Sequence, residues 1–300
     1  MRGGLSIIGA GRVGRALGRR LHELGWKIGA VITQNEGTAR KAVRSIGAGK
    51  PLSTISRRVL ASRLILISVP DDAIVKVARE LARVGEEELR GKIVLHTSGS
   101  SDSSALLVLR ECGAHTGSMH PLQSFSGVAI PPLEGKLFAI EGEPAAIRLA
   151  RQIVRALGGL PVQIAGDTKI LYHAAAALAA GHVLAIEEAA TRILMLTGMK
   201  RAEAVRALLQ LTRQVLENFE RLGPRSAWTG PLVRGDYRVI EAHLGALRTL
   251  PQEFAEAYAA LNKLASLVLS ADAAGILAPQ NLQTRRKVLP VKVHSEGGKS

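Results

Sequence analysis

The sequence predicts an α/β chain: a doubly wound, parallel sheet followed by an all-α domain. A glycine turn, GAGRVG at Gly9 to Gly14, stands between a short apolar run and a helical pattern. Strand-like and helix-like segments then alternate as far as Ile164, and beyond Gly166 no strand pattern remains. The 300 residues, 47% of them hydrophobic, suffice for one or two domains with sizeable cores. The expected division is 1–166, then 167–278, then a basic, flexible tail at 279–300.

Taken in order, Leu5 to Ile8 reads as a buried strand. The helix after it sets Ala16, Leu17, Leu21 and Leu24 along one side and closes at Gly25. Trp26 to Thr33 is the next strand. Arg63 to Pro70 follows, and Asp71 or Asp72 is expected to cap a helix running to about Val84. Lys92 to His96 is a strand and Ser103 to Glu111 a short helix. Ala114 to Met119 is a strand with His120 at its end and Pro121 stopping it. Leu137 to Ile140 and Pro161 to Ile164 flank a helix from about Pro144 to Leu157. Thr168 to Thr197 reads as one long alanine-rich helix, capped by Asp167 or Thr168 and closed by Gly198. Further helices are expected at Arg201 to Leu222, Asp236 to Leu250 and Gln252 to Ala274, punctuated by Gly223-Pro224, Gly230-Pro231 and Pro251.

Composition narrows the function classes. The formal net charge is +15, but the basic residues are spread along the chain and aromatics make up only 3%. This reads as an arginine-rich surface rather than a nucleic-acid interface. The charge would also draw in an anionic cofactor or substrate. The single cysteine, Cys112, cannot form an internal disulfide, and no Cys/His spacing suggests a metal site. A reducing cytoplasm is expected, and Met1 to Gly4 lead straight into a strand without a signal peptide. The longest apolar run, Tyr172 to Ile186, holds His173 and His182 and stops at Glu187-Glu188, so no membrane span is expected.

The glycine turn carries a definite mechanism. Gly9 permits a tight turn, Gly11 lets a pyrophosphate approach the backbone, and Gly14 lets the helix pack on the strand. Arg12 and Val13 lie within the turn, where free N–H groups favour phosphate. An NAD site usually carries a carboxylate about twenty residues further on. Here Thr33, Gln34 and Asn35 occupy that place, with Arg40 and Lys41 close by, which favours the 2′-phosphate of NADP over NAD. A solvated helix face explains Arg40 and Lys41 nearly as well. Ligands of such sheets lie beyond the carboxyl ends of the strands, so Ser68, Val69, Pro70, Thr97, Ser98 and Gly99 are expected around the nicotinamide end.

Proton chemistry needs a group within hydrogen-bond reach. His120, in GSMHPLQSF, is the first candidate, with Ser118 and Gln123 beside it to orient substrate. Lys169 and His173 stand four residues apart, on one side of the long helix, and are the next candidates. In TGPLVRGD, Thr229 and Arg234 are candidate substrate contacts, Arg234 as an anion clamp. Asp236 is placed with them and is able to cap the next helix.

GAGRVGRAL, SVPDDAI, HTSGS, GSMHPLQSF, YHAAAA and TGPLVRGD, in that order, resemble a bacterial family that pairs a Rossmann-like domain with a C-terminal helical domain of unknown function. That family is similar to the 6-phosphogluconate dehydrogenase-like group, with pyrroline-5-carboxylate reductase and the deazaflavin-dependent NADP reductases. The resemblance implies an NAD(P)-linked oxidoreductase and a homodimer made through the helical domain. It also implies catalysis by Lys169, which matches a lysine of the hydroxyacid-dehydrogenase branch, although His173 stands where that branch favours an amide. Thr229, Gly230 and Pro231 sit like a carboxylate-binding loop of pyrroline-5-carboxylate reductase. The leading expectation is hydride transfer between NADP(H) and a small, anionic carbonyl, alcohol or imine. The alternative is a non-catalytic NADP(H) sensor, and a deazaflavin partner is a third reading.

Overall fold

A computed structural model describes residues 4–127 and 129–270. The expected tail at 279–300 and the end of the helix expected to reach Ala274 lie outside the described residues. Eight strands form one sheet: β1 (Leu5–Ile8), β2 (Ile28–Ile32), β3 (Lys50–Leu52), β4 (Leu64–Ile67), β5 (Ile93–His96), β6 (His115–Pro121), β7 (Leu137–Gly142) and β8 (Leu160–Gln163). Their order is β3-β2-β1-β4-β5-β6-β7-β8. The chain starts at β1, winds out to β3 and returns to β4 on the other side of β1, which makes a switch point where ligands bind. Every neighbouring pair is parallel except β6 with β7. A loop, rather than a crossover helix, joins those two strands, so β7 runs back along β6. The edge strand β3 escapes the sequence pattern because it is three residues long and contains Pro51, which only an edge tolerates.

The central strands are apolar throughout because both faces are covered. Leu64 and Leu66 pack on one core with Leu17 and Leu21 of α1 (Arg12–Glu23), Ile46 of α2 (Glu36–Ile46), and Phe138. Ile65 and Ile67 face a second core with Leu60 of α3 (Arg57–Leu60), Ile74 and Leu81 of α4 (Ile74–Val84), and Leu109 of α5 (Leu107–Glu111). Each such side chain contributes about 1.5–3 kcal/mol on burial. Helix α6 (Pro144–Ala156) adds Ile153 and Val154 to the first core.

After β8 the chain is helical. The run expected as one helix is α7 (Lys169–Ala177), a π turn at Leu178–His182 and α8 (Val183–Leu196). A first compact unit ends at Val183 and a second starts at Leu184. The second contains α9 (Arg201–Ala227), α10 (Pro231–Arg234), α11 (Tyr237–Leu247) and α12 (Gln252–Leu269). Helix α9 passes the expected stop at Leu222 by a kink: Gly223 takes φ 77°, and Pro224 restarts the helix. One expectation needs correction. Counted from Gly166 to Leu196, the helical run has 31 residues and is long and apolar enough to cross a membrane, by length and composition only. The apolar run 172–186 is the middle of this longer helical run. Leu171, Leu184 and Leu196 stand exposed on it, as do Leu211, Leu216 and Phe219 on α9.

Candidate active site

The turn after β1 is built for glycine. Gly9 has φ 88°, and a Cβ there would sit 2.4 Å from the Ser68 carbonyl oxygen. A Cβ on Gly14 would sit 2.4 Å from the Gly9 carbonyl oxygen, so α1 packs against the turn only without one. Gly11 differs, because a Cβ there would meet nothing within 4 Å. It is the N-cap of α1 and offers no side chain to the first-turn N–H groups, which are left for a ligand. The turn opens on a cavity of about 630 Å³ that Gly9, Gly11, Thr33, Gln34 and Ser68 to Pro70 line. Arg15, Lys41 and Lys76 bring positive charge to its wall. A glycine cradle with free N–H groups and three cations fits a dinucleotide's phosphates.

Two predicted contacts are placed elsewhere. Asn35 caps α2, its Oδ1 accepting from the Thr38 N–H at 2.9 Å. Arg40 donates to Glu36 at 2.6 Å on the exposed side of α2. Lys41 lines the cavity instead, since successive helix residues point about 100° apart.

A second cavity, of about 440 Å³, shares Ser68 and Val69 with the first. Arg12, Val13, Asp71 and Gln123 border it, and Thr97, Ser98 and Gly99 form the turn beneath. His120 enters it from β6, which runs past the expected end at Met119: His120 pairs with Ala139 and Pro121 with Phe138. Its Nδ1 lies 2.8 Å from the Tyr172 hydroxyl. The imidazole meets Tyr172 and His173 edge-on, at centroid separations of 5.5 and 5.9 Å. A Cβ on Gly99 would lie 2.6 Å from His173 Nδ1 and 2.8 Å from His120 Nε2. The two imidazoles therefore converge on a glycine that makes room for both. Burial, then the nearby Lys169 and His173, push His120 down to about 4, against a weaker opposing pull from Asp71. It is neutral at pH 7. His173 Nδ1 is buried and has no hydrogen-bond partner among the described residues. Such a group costs about 1–3 kcal/mol until a ligand satisfies it.

Lys169 and Ser118 are not in this cavity wall. The lysine arm reaches back toward the helix N-terminus, beneath the Ser98 turn. It is 1% exposed. Its Nζ donates to the Ser98 carbonyl at 2.9 Å and to Ser118 Oγ at 2.5 Å, and lies 3.9 Å from Glu141 Oε1. Glu141 Oε2 accepts from Ser103 at 2.9 Å. Burial lowers the Lys169 ammonium to about 8, opposed by Glu141, Asp102 and Asp71. The geometry gives Lys169 the turn to hold, and Ser118 the lysine to hold, rather than a substrate. Neither Asp71 nor Asp72 caps α4, because a 3-10 turn, Asp71–Ala73, intervenes. Asp71 accepts from the Ser100 hydroxyl. The Thr168 hydroxyl bonds back to the Ala165 carbonyl instead of capping α7.

His96 ends β5 and is fully buried. Its Nδ1 accepts from the Ser98 N–H at 3.2 Å, so its Nε2 carries the proton and donates to the Asp102 carbonyl at 3.1 Å. Burial, then Lys169, push it down to about 4. The unfolded chain therefore binds a proton between about pH 6.5 and 4 that the folded chain refuses. From His96 alone, stability is expected to fall by about 3 kcal/mol as pH drops through that window, at about 1.4 kcal/mol per pH unit. Urea unfolding at stepped pH measures this, and His96→Gln should remove its share of the slope and leave that of His120, which is also pushed down to about 4.

Thr229, Arg234 and Asp236 belong to the second unit. Arg234 Nε donates to Asp236 Oδ2 at 2.9 Å, which occupies the proposed anion clamp, and Asp236 makes no side-chain cap on α11. Sequence reasoning missed Glu141, Tyr172 and His96. Glu141 was detectable as the one charge in the apolar strand LFAIEG. Tyr172 and His96 gave no signal beyond their place beside His173 and at a strand end.

Residues 1–121 match the family model for a Rossmann-like domain, and residues 136–265 match that for the domain of unknown function DUF2520. The chain pairs a Rossmann-like domain with a DUF2520 domain. Among curated proteins none matches it. In structure it is similar to BF3122 of Bacteroides fragilis, a candidate NADP oxidoreductase (TM-score 0.73, 21% identity, 88% of this chain and 97% of that one covered). It is also similar to the imine reductase of Streptomyces aurantiacus (TM-score 0.63, 16% identity, 87% and 93% covered). A third similar structure is a reductive aminase from Aspergillus terreus, in complex with NADPH and ethyl-5-oxohexanoate (TM-score 0.61, 18% identity, 96% and 95% covered). At these identities the likeness establishes the fold of this Rossmann–DUF2520 chain.

Proposed function

We propose that the protein is an NADP(H)-dependent oxidoreductase acting on a small, anionic carbonyl, alcohol or imine. The observation that carries this is the convergence of His120 and His173 over Gly99, in a cavity that shares Ser68 and Val69 with the glycine cradle. The similar structures described as a candidate NADP oxidoreductase and as a reductive aminase in complex with NADPH support the same reading. Gly9, Gly11 and the start of α1 would hold the pyrophosphate, and Arg15 and Lys41 would favour a 2′-phosphate. Bound there, the dinucleotide supplies hydride. His120 faces the substrate heteroatom as a neutral imidazole, Arg12 draws an anionic group to the cavity mouth, and Lys169 fixes the floor through the Ser98 carbonyl.

The test is NADPH oxidation across a panel of 2-oxo acids, cyclic imino acids and ketones. Reduction of at least one class, lost in His120→Ala by about 10²–10⁴-fold, is expected. Tight NADPH binding with no turnover across the panel would instead make the protein a nucleotide sensor. NADPH is expected to bind at least tenfold more tightly than NADH, with Lys41→Ala narrowing the gap. The helical unit is proposed to make a homodimer, on the support of its exposed leucines at 184, 196, 211 and 216. Sedimentation at micromolar concentration tests that.

A further inference from the structure

We infer that Tyr172 is a positioning residue that fixes the tautomer of His120 and relays a proton through it. This rests on the oxidoreductase reading for its chemistry, but not for its geometry. The Tyr172 hydroxyl lies 2.8 Å from His120 Nδ1 and has no other hydrogen-bond partner among the described residues. Two arrangements are open to that pair. In one the phenol donates to a bare Nδ1. In the other Nδ1–H donates to the phenol oxygen and leaves the phenol hydrogen without an acceptor. An imidazole nitrogen accepts far better than a phenol oxygen, and an unmade bond in a half-buried site costs about 1–3 kcal/mol. The first arrangement therefore wins. Nε2 then carries the proton, and it is Nε2 that stands over Gly99 at the cavity.

The neighbourhood keeps the pair neutral. Burial lifts the Tyr172 phenol to about 12, and burial with Lys169 and His173 lowers His120. A neutral imidazole is a weak acid, so it gives up a proton only if another replaces it. As negative charge develops on the substrate heteroatom, the Nε2 proton passes to that atom and the phenol proton passes to Nδ1. The phenolate then regains a proton from water. His120 ends neutral with its tautomer exchanged, and it returns to the starting tautomer when Nε2 takes a proton from water at the cavity and Nδ1 gives one up to water through the phenol. The hydride that creates the charge comes from the dihydronicotinamide of the proposed activity.

The experiment is nitrogen-15 NMR of the histidine side chains in cofactor-free protein, with the His120 signals assigned by their loss in His120→Gln. The wild type should show Nδ1 bare and Nε2 protonated, and Tyr172→Phe should shift His120 toward a mixture of tautomers. On a substrate found with the panel, Tyr172→Phe should lower kcat by about 10–100-fold and leave KM within threefold. A wild-type His120 protonated at Nδ1, or a Tyr172→Phe protein with unchanged tautomer, overturns the inference. The NMR result stands whether or not the panel yields a substrate, so this inference and the proposed activity fail separately.

Discussion

Lys169→Met is expected to destabilise the protein by about 1–3 kcal/mol, the cost of leaving buried acceptors without their donor. The methionine fills nearly the same volume, so packing is not the source. The source is the lost Nζ donor, which faces Glu141 Oε1 at 3.9 Å, an oxygen without a hydrogen-bond partner among the described residues. The Ser98 carbonyl and Ser118 hydroxyl lose their donor as well. The double variant Lys169→Met/Glu141→Gln should recover most of the loss, because removing both charges also removes both desolvation costs. A pH series adds a second signature. The folded lysine titrates at about 8, below its free value, so the unfolded chain binds more protons between pH 8 and 10.5. Wild-type stability should rise over that interval and be lost again as pH falls to 8, and the rise should be absent in Lys169→Met. Chemical denaturation at stepped pH reads both effects.

Gly11→Ala should cost NADPH affinity on the order of 100-fold, about 2.7 kcal/mol, while changing stability by no more than about 1 kcal/mol. The new methyl group meets no protein atom within 4 Å, so the fold has no reason to object. It would stand where a pyrophosphate must come within contact of the backbone. Gly9→Ala separates the two roles. Its φ of 88° and the 2.4 Å approach to Ser68 strain the fold itself, at about 1–3 kcal/mol for the backbone conformation before the overlap is counted. Fluorescence titration with NADPH beside thermal unfolding distinguishes them: Gly11→Ala folds and binds poorly, whereas Gly9→Ala folds poorly.

The parts legible in the sequence are those fixed by local rules. The glycine turn lies between two apolar strands, and the strands' carboxyl ends follow from parallel winding, so Ser68, Thr97 to Gly99 and His120 are brought to one edge as the pattern implies. Depth is not legible in that way. Helical spacing puts Lys169 and His173 on one face, but it does not say that one arm passes under the Ser98 turn while the other ring stays above it. Asn35, Arg40, Arg234 and Asp236 look available in the sequence because their short-range partners Thr38, Glu36 and each other satisfy them only once the backbone is folded. Glu141 arrives by the one antiparallel pairing, between β6 and β7, which no local pattern specifies.

A crystal structure with NADP bound would decide the matter. The nicotinamide ring should lie beyond Ser68 and Val69, over Gly99, with its C4 edge toward the space between His120 and His173. A ring turned out to solvent, or an adenine in that space, would leave the two imidazoles without a hydride to meet and the oxidoreductase reading without its site.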